Sequence, residues 1–245
     1  MPFSSLANDY IYAYDKVREF FSGNFRDLSA FHKQTEIVQS RHLERESLAS
    51  ILLKQNRDYG CGNETIKNIQ RLAQDHTCSV LTGQQVGLFS GPLYTIYKSL
   101  TAIKLAEHLN RNCQGSYVPV FWLASDDHDF AEIDHISLLD KHNRIEKIRY
   151  ESPLSPNKIP ASKWMLTPEI SACIQHLDNL TRDTEFKQEM LSCLSDSYQP
   201  GLSIAEAFAR WMTFLFKSYG LVVVDASHPG LKELGKNVFA REIAE

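Results

Sequence analysis

Residues Ser79 to Asp129 constrain the fold more tightly than any other stretch of the chain. A short apolar run, Ser79-Val-Leu81, is broken by Thr82-Gly83 and passes into the glycine-punctuated segment Gly83-Gln-Gln-Val-Gly-Leu-Phe-Ser-Gly91. An amphipathic stretch from Pro92 to about Leu109 follows, and then a second apolar run, Val118 to Leu123, ending in Asp126-Asp-His-Asp129. Strand, loop, helix and strand in that order form a unit of a parallel sheet, and ligands of such sheets bind beyond the carboxyl ends of the strands. Consecutive apolar residues from Val118 to Leu123 fit a strand covered on both faces. The expected fold class is α/β with a parallel sheet.

The remaining elements arrange themselves around that unit. Ala7 to Phe21 and Asp27 to Gln74 carry apolar residues at helical spacing, interrupted at Gly23 and at Tyr59-Gly-Cys-Gly62, so residues 1–77 read as a helical lead-in of about four segments covering one sheet face. Pro92 suits the first position of the next helix, whose apolar stripe comprises Leu93, Ile96, Leu100, Ala102, Ile103, Ala106 and Leu109, with Asn110-Arg-Asn112 as its end. Ile136 to Leu139 and Ile145 to Tyr150 read as strands joined by the turn Asp140-Lys-His-Asn143. Pro153, Pro156 and Pro160 mark an irregular connection that opens an insertion over residues 151–202, with two helices between Pro168 and Asp196. A helix from Ile204 to Tyr219, with Ala205, Phe208, Trp211, Met212 and Leu215 inward, leads to the third core strand, Leu221 to Val224. A last helix opens near Pro229 and reaches Glu245 with no Gly, Asn or Pro at its end, so the chain is expected to stop before its fold is complete.

Composition narrows the function. With 245 residues and 43% hydrophobic content the chain can bury a large core. The net charge of -4, with Lys and Arg scattered singly, gives no footprint for a nucleic-acid backbone, and a small molecule is the expected partner. No apolar run is long enough to span a membrane, and Met1-Pro-Phe-Ser-Ser5 lacks a secretion signal, so the expected location is cytoplasmic. The five cysteines form no Cys-x-x-Cys pair, and Cys78, beside an apolar strand, is expected to pack.

Three constellations carry candidate chemistry. The first is Thr82, Gly83, Gln84, Gln85 and Gly91, where glycines allow close backbone approach and the two amides offer donors and acceptors, with Tyr94 and Lys98 on the following helix. Its spacing matches neither the Walker loop nor the dinucleotide fingerprint, and the glycines also suit a simple tight loop. The second is Asp126, Asp127, His128 and Asp129, where a carboxylate beside the imidazole can fix its tautomer; a solvated acidic loop is the alternative. A metal site drawing on Asp134, His135 or Asp140 has no established zinc spacing behind it. The third is Asp225, Ser227 and His228, of which Asp225 or Ser227 also suits a simple cap of the last helix. If the three strands are adjacent and parallel, all three groups converge on one cleft.

The string Leu81-Thr-Gly-Gln-Gln-Val-Gly-Leu-Phe-Ser-Gly-Pro-Leu-Tyr-Thr-Ile-Tyr-Lys98, with Pro119-Val-Phe-Trp122, Asp127-His-Asp129 and Gly220-Leu-Val-Val-Val-Asp225, closely resembles the N-terminal part of the BshC family, the cysteine-adding enzymes of bacillithiol biosynthesis. The resemblance implies a Rossmann-like core related to nucleotidylyltransferases and class I aminoacyl-tRNA synthetases, interrupted by connecting-peptide insertions. It implies a cysteine ligase that joins cysteine to a malyl glucosamine by an amide bond, with ATP as a cofactor by fold analogy and a homodimer formed through a C-terminal coiled coil. The histidines of the His-x-Gly-His motif of those related folds are absent from Gly83 to Gly91, so their adenylation mechanism does not transfer directly. On this reading His128 is the acid/base, Asp127 and Asp129 orient it or the cysteine amine, and Gln84, Gln85 and the backbone at Gly83 and Gly91 hold the acid or sugar portion. The competing readings are a metal-dependent hydrolase built on Asp126 to Asp129 with His135, and a Rossmann-like binding or assembly module without catalysis.

Overall fold

Three parallel strands carry the fold. In the computed structural model, which describes residues 3–41, 43–152 and 159–244, β1 (Thr77–Gln85) and β2 (Ser116–Ala124) pair over their whole length. The third core strand, which follows β3 (His135–Leu139) and β4 (Ile145–Arg149) in the chain, is β5 (Val222–Asp225), and it pairs with β2 on its other side. The order β1-β2-β5 confirms the expected parallel α/β sheet. β3 and β4 form a separate antiparallel hairpin.

Four helices lead in: α1 (Ser5–Tyr12), α2 (Leu28–Gln39), α3 (Arg45–Asp58) and α4 (Asn63–Leu72). The helix expected from Ala7 to Phe21 ends at Tyr12 and gives way to two short 3-10 turns. α3 and α4 cover one sheet face, where Leu52, Ile69 and Leu72 pack on Val118, Val120, Val222 and Val224. On the other face α5 (Tyr94–Asn112) lies over β1 and β2, placing Ile103 against Phe121 and Leu123, while Ala106 and Leu109 pack with Cys78 and Tyr117. Burial accordingly raises the Cys78 thiol above its ordinary pKa. A four-residue turn of helix, α6 (Phe130–Ile133), links β2 to the hairpin. Beyond it stand α7 (Ile170–Leu180), α8 (Lys187–Ser197) and α9 (Ile204–Leu215), the last burying Ala205, Phe208, Trp211 and Met212 as its spacing predicted. α10 (Pro229–Ala244) follows β5. Of the proline-marked connection, Pro160 is described, whereas Pro153 and Pro156 lie outside the described residues.

Two expectations at the heart of the molecule need correction. β1 does not break at Thr82-Gly83 but continues to Gln85, because the missing side chain of Gly83 lets the strands approach: a Cβ there would sit 2.6 Å from the Trp122 carbonyl oxygen. α5 begins at Tyr94 rather than Pro92 and runs on through Asn110-Arg-Asn112. Pro92 contributes its carbonyl to the Thr95 amide at 2.9 Å, one step ahead of the helix, and Leu93 is exposed rather than part of the packed stripe.

β5 ends the sheet, yet its outer edge is not left bare. Asn56, fully buried on α3, accepts from the Val223 amide at 3.0 Å and donates to the Val223 carbonyl at 2.9 Å, copying the contacts of a neighbouring strand. Thr65 and Asn68 of α4 donate to the Leu221 and Gly220 carbonyls. The helical lead-in therefore satisfies backbone groups that burial would otherwise leave unpaired. Asn56→Leu keeps the side-chain volume and strands both Val223 groups, and should lower the unfolding free energy by about 2–4 kcal/mol in urea titration. A loss below about 0.5 kcal/mol would show that the edge does not depend on this contact.

Candidate functional site

The register brings the three strand ends level. Gln85 stands opposite Ala124, and Leu123 opposite Asp225, so the segments after β1, β2 and β5 leave the sheet side by side. Successive strand residues point to opposite faces, which separates the two glutamines. Gln84 turns toward α5: the Lys98 ammonium donates to its Oε1 at 3.0 Å, and its Nε2 donates to the Tyr94 hydroxyl at 3.1 Å. Lys98 also lies 5.7 Å from the Tyr94 ring centroid. Gln85 reaches the other way and donates to Oδ2 of Asp127, tying the end of β1 to the acidic loop after β2.

The segment from Val86 to Gly91 is closed on itself. Gly87 packs so near Gly91 that a Cβ would lie 2.8 Å from the Gly91 Cα. Phe89, Ser90 and Gly91 take successive positive φ values of 48°, 77° and 66°. Glycine adopts such angles freely, whereas each non-glycine residue costs about 1–2 kcal/mol. Strain of this kind persists only where the surroundings enforce it, and it concentrates at functional sites.

In the acidic loop, the Asp129 amide donates to Asp127 Oδ1 at 3.0 Å. The Gln85 hydrogen bond, then the Asp129 amide, hold the Asp127 carboxyl below its ordinary pKa. Asp126 pairs with Lys232 at 2.9 Å, both half exposed, so that contact adds little stability. The Ala161 and Ser162 amides donate to the Asp127 and Ser125 carbonyls at 2.9 and 3.0 Å and strap the far segment across the loop. His128 is exposed, and its ring makes no hydrogen bond among the described residues. It stands over a cleft, bordered by Phe130, Ile159 and Trp164, that is too narrow for a water molecule.

After β5, Asp225 accepts from the Ser227 amide at 3.0 Å and the Ser227 hydroxyl at 2.8 Å, and Ser125 donates to the same Oδ1. His228 Nδ1 accepts from the Gly230 amide at 3.1 Å. Asp225 and Ser227 thus shape the turn ahead of α10, whereas the side chain that accepts from an α10 amide is that of His228 and not, as the helix-cap alternative had it, of Asp225 or Ser227. Beside them a groove of about 750 Å³ runs between α10 and the strap, bordered by Asp126, Ser227, Lys163, Lys232, Lys236 and Phe239. A separate apolar hollow of about 510 Å³, lined by Leu177, Met190 and Trp211, touches Asp140 of the metal alternative and none of the residues of the three constellations.

The structure therefore joins Gln84, Tyr94 and Lys98 in one network, Gln85, Asp127 and Asp129 in a second, and Asp225 with Ser227 in a third. Thr82 and Gly83 belong to the body of β1, and Gly91 closes the strained loop. Among the described residues the imidazole of His128 is bonded to neither flanking aspartate, and Asp127 accepts instead from Gln85 and the Asp129 amide. Sequence reasoning missed Ser125, fully buried and bridging the ends of β2 and β5, and Lys232, which meets Asp126 across 106 residues. A small polar residue directly after the apolar run was the available signal for Ser125; long-range pairing left none for Lys232.

The metal alternative finds its residues engaged elsewhere. Arg149 donates to Asp134, which also meets His135 Nδ1 at 2.8 Å. Asp140 accepts from the Arg144 and His142 amides, both at 2.8 Å, and from the Arg144 guanidinium; the Arg144 amide first, then its guanidinium, hold the carboxyl down to about 2. Among the described residues no three His, Cys, Asp or Glu side chains are grouped to hold an ion.

Gln85→Leu removes the leading cause of the low Asp127 pKa, and carbon-detected NMR titration should find that carboxyl moved up toward the ordinary carboxylate range. Because the native pKa lies below the unfolded value, the contact stabilises the fold above that ordinary range and its contribution fades as pH falls through the native pKa. The variant should lose part of this acid-side dependence; an unmoved Asp127 pKa would contradict the assignment.

Comparison with known proteins agrees with this architecture. Residues 2–245 match the family described as "Bacillithiol biosynthesis BshC, N-terminal Rossmann-like domain". The chain is 35% identical over 243 residues to a protein of Salinibacter ruber named "Putative cysteine ligase BshC", covering 99% of this chain and 44% of that protein. Proteins of the same name from Chloroherpeton thalassium and Bacillus cytotoxicus are 37% and 30% identical, over 93% and 100% of this chain and 41% and 45% of their own lengths. The chain thus spans less than half the length of these relatives. It belongs to the BshC family and corresponds to that family's N-terminal Rossmann-like domain.

Proposed function

We propose that this chain supplies the Rossmann-like part of a cysteine ligase of bacillithiol biosynthesis, which joins the amine of cysteine to the carboxylate of a malyl glucosamine. The supporting observation is the Gln85 to Asp127 contact, which locks the glycine segment and the acidic loop together at level strand ends. In this reading Asp127 and Asp129 attract and orient the cysteine ammonium. Asp127 suits that task, since its hydrogen bonds keep it ionised well below neutral pH. His128, exposed beside them, takes the proton that the amine loses as nitrogen attacks the carboxyl carbon. Gln84, Gln85 and the backbone at Gly83 and Gly91 hold the acid or sugar portion, with Tyr94 and Lys98 fixing Gln84.

Amide formation expels a carboxylate oxygen, which leaves readily only when it is first esterified to a better leaving group. ATP is the candidate activator by analogy with related folds, and Lys163, Lys232 and Lys236 along the groove are cations that a polyphosphate would meet. The whole ligase is read as a cytoplasmic homodimer assembled through a C-terminal coiled coil.

The test is bacillithiol formation from cysteine and malyl glucosamine in a protein of the relatives' full length. His128→Asn and Asp127→Asn should each lower turnover by about 10²–10⁴-fold, the range of general acid–base catalysis, with His128→Asn leaving the affinity for malyl glucosamine unchanged. Unaltered turnover in both variants would remove the assignment, and turnover without ATP would remove ATP from the scheme.

A further inference from the structure

Two consecutive non-glycine residues in the left-handed region need an external restraint, and the residue that meets them lies more than a hundred positions away. Tyr198, directly after α8, is 1% exposed, and its hydroxyl donates to the Gly87 carbonyl at 3.2 Å. Its ring meets Phe89 edge-on, with centroids 5.1 Å apart and planes at 82°. Burial pushes the phenol far up, while the Ser90 and Phe89 amides facing the oxygen act against that rise. The hydroxyl therefore stays a neutral donor with two backbone amides beside it. The segment that carries it is itself fixed, since the Tyr198 amide donates to Leu194 and the Ile204 amide to Trp164, each at 2.9 Å, and the Gly201 amide to Leu166 at 2.8 Å.

We propose that Tyr198 is a positioning residue of the ligand site: its hydroxyl clamps Val86 to Gly91 in the left-handed shape that sets the end of β1 and the first turn of α5 before a ligand. The segment after the hairpin thereby shapes a site none of whose sequence-derived residues it contains. With the clamp removed, Phe89 and Ser90 relax toward ordinary angles, and Gln84 loses its register with Tyr94 and Lys98. The link to ligand binding rests on the reading given above; the clamp itself does not.

The test compares Tyr198→Phe, which keeps the ring and removes the hydroxyl, with the native chain. Amide exchange at Phe89 and Ser90 should quicken by about tenfold, as expected for one lost buried hydrogen bond, while exchange at Phe121 and Leu123 in β2 stays within about twofold. Adding Ser90→Gly, which accepts a φ of 77° without steric cost, should recover at least half of the affinity for malyl glucosamine that Tyr198→Phe loses. Unchanged loop exchange, or equal acceleration in β2, overturns the clamp, the latter by showing ordinary destabilisation. A weakened affinity that Ser90→Gly does not restore overturns the positioning role. Affinity is measured in a protein of the relatives' full length; should malyl glucosamine fail to bind that protein with Tyr198 intact, the substrate reading falls, and the exchange comparison still decides the clamp.

Discussion

Everything at the candidate site hangs from the confinement of β2. Its backbone is paired with β1 on one side and β5 on the other, and Val118, Phe121 and Leu123 are fully buried between two helical layers. A strand held in that way cannot slip, because a shift of one residue would turn Phe121 and Leu123 out of one core and Val118 and Val120 out of the other. The position of its carboxyl end is thus fixed by burial of apolar surface on both faces, and β1 and β5 inherit that position through their register. Loops leaving such an edge can be irregular and strained without the sheet yielding.

Around that edge the polar groups fall into short, separate networks rather than one relay. Gln84 answers to α5, Gln85 to the acidic loop, and Asp225 to its own turn and Ser125. This division follows from strand alternation, which sends neighbouring side chains to opposite faces. It also explains why the acidic loop carries a well-anchored Asp127 beside an exposed His128: the restraints that order the loop act on the carboxylate and the backbone and not on the imidazole. Compensation recurs elsewhere. Buried edge groups of β5 are satisfied by Asn56, Thr65 and Asn68, and the left-handed turn at Phe89 and Ser90 is met by Tyr198.

Much of this was legible in the sequence, for identifiable reasons. Uninterrupted apolar residues in Val118 to Leu123 and Leu221 to Val224 signal strands buried on both faces, and the inward face of α9 follows from its spacing. The elements that misled are those where local grammar and tertiary packing disagree. Gly83 reads as a breaker, yet in the sheet it is the residue that allows Trp122 to approach. Pro92 reads as a helix start, but the strained turn before it delays the helix by two residues. The run Asp126 to Asp129 suggests an aspartate pinning His128, whereas Asp127 is claimed by Gln85, a pairing across 42 positions that no local pattern encodes. Tyr198 and Lys232 escaped for the same reason.

The central claim is that the three level strand ends form one ligand site. Its most direct test is a crystal structure or an NMR titration of this chain with malyl glucosamine. The account predicts contacts or shift changes at Gln84, Gln85, Asp127 and Gly91 together. Binding confined to the apolar hollow beside Trp211, with the strand ends unperturbed, would contradict it.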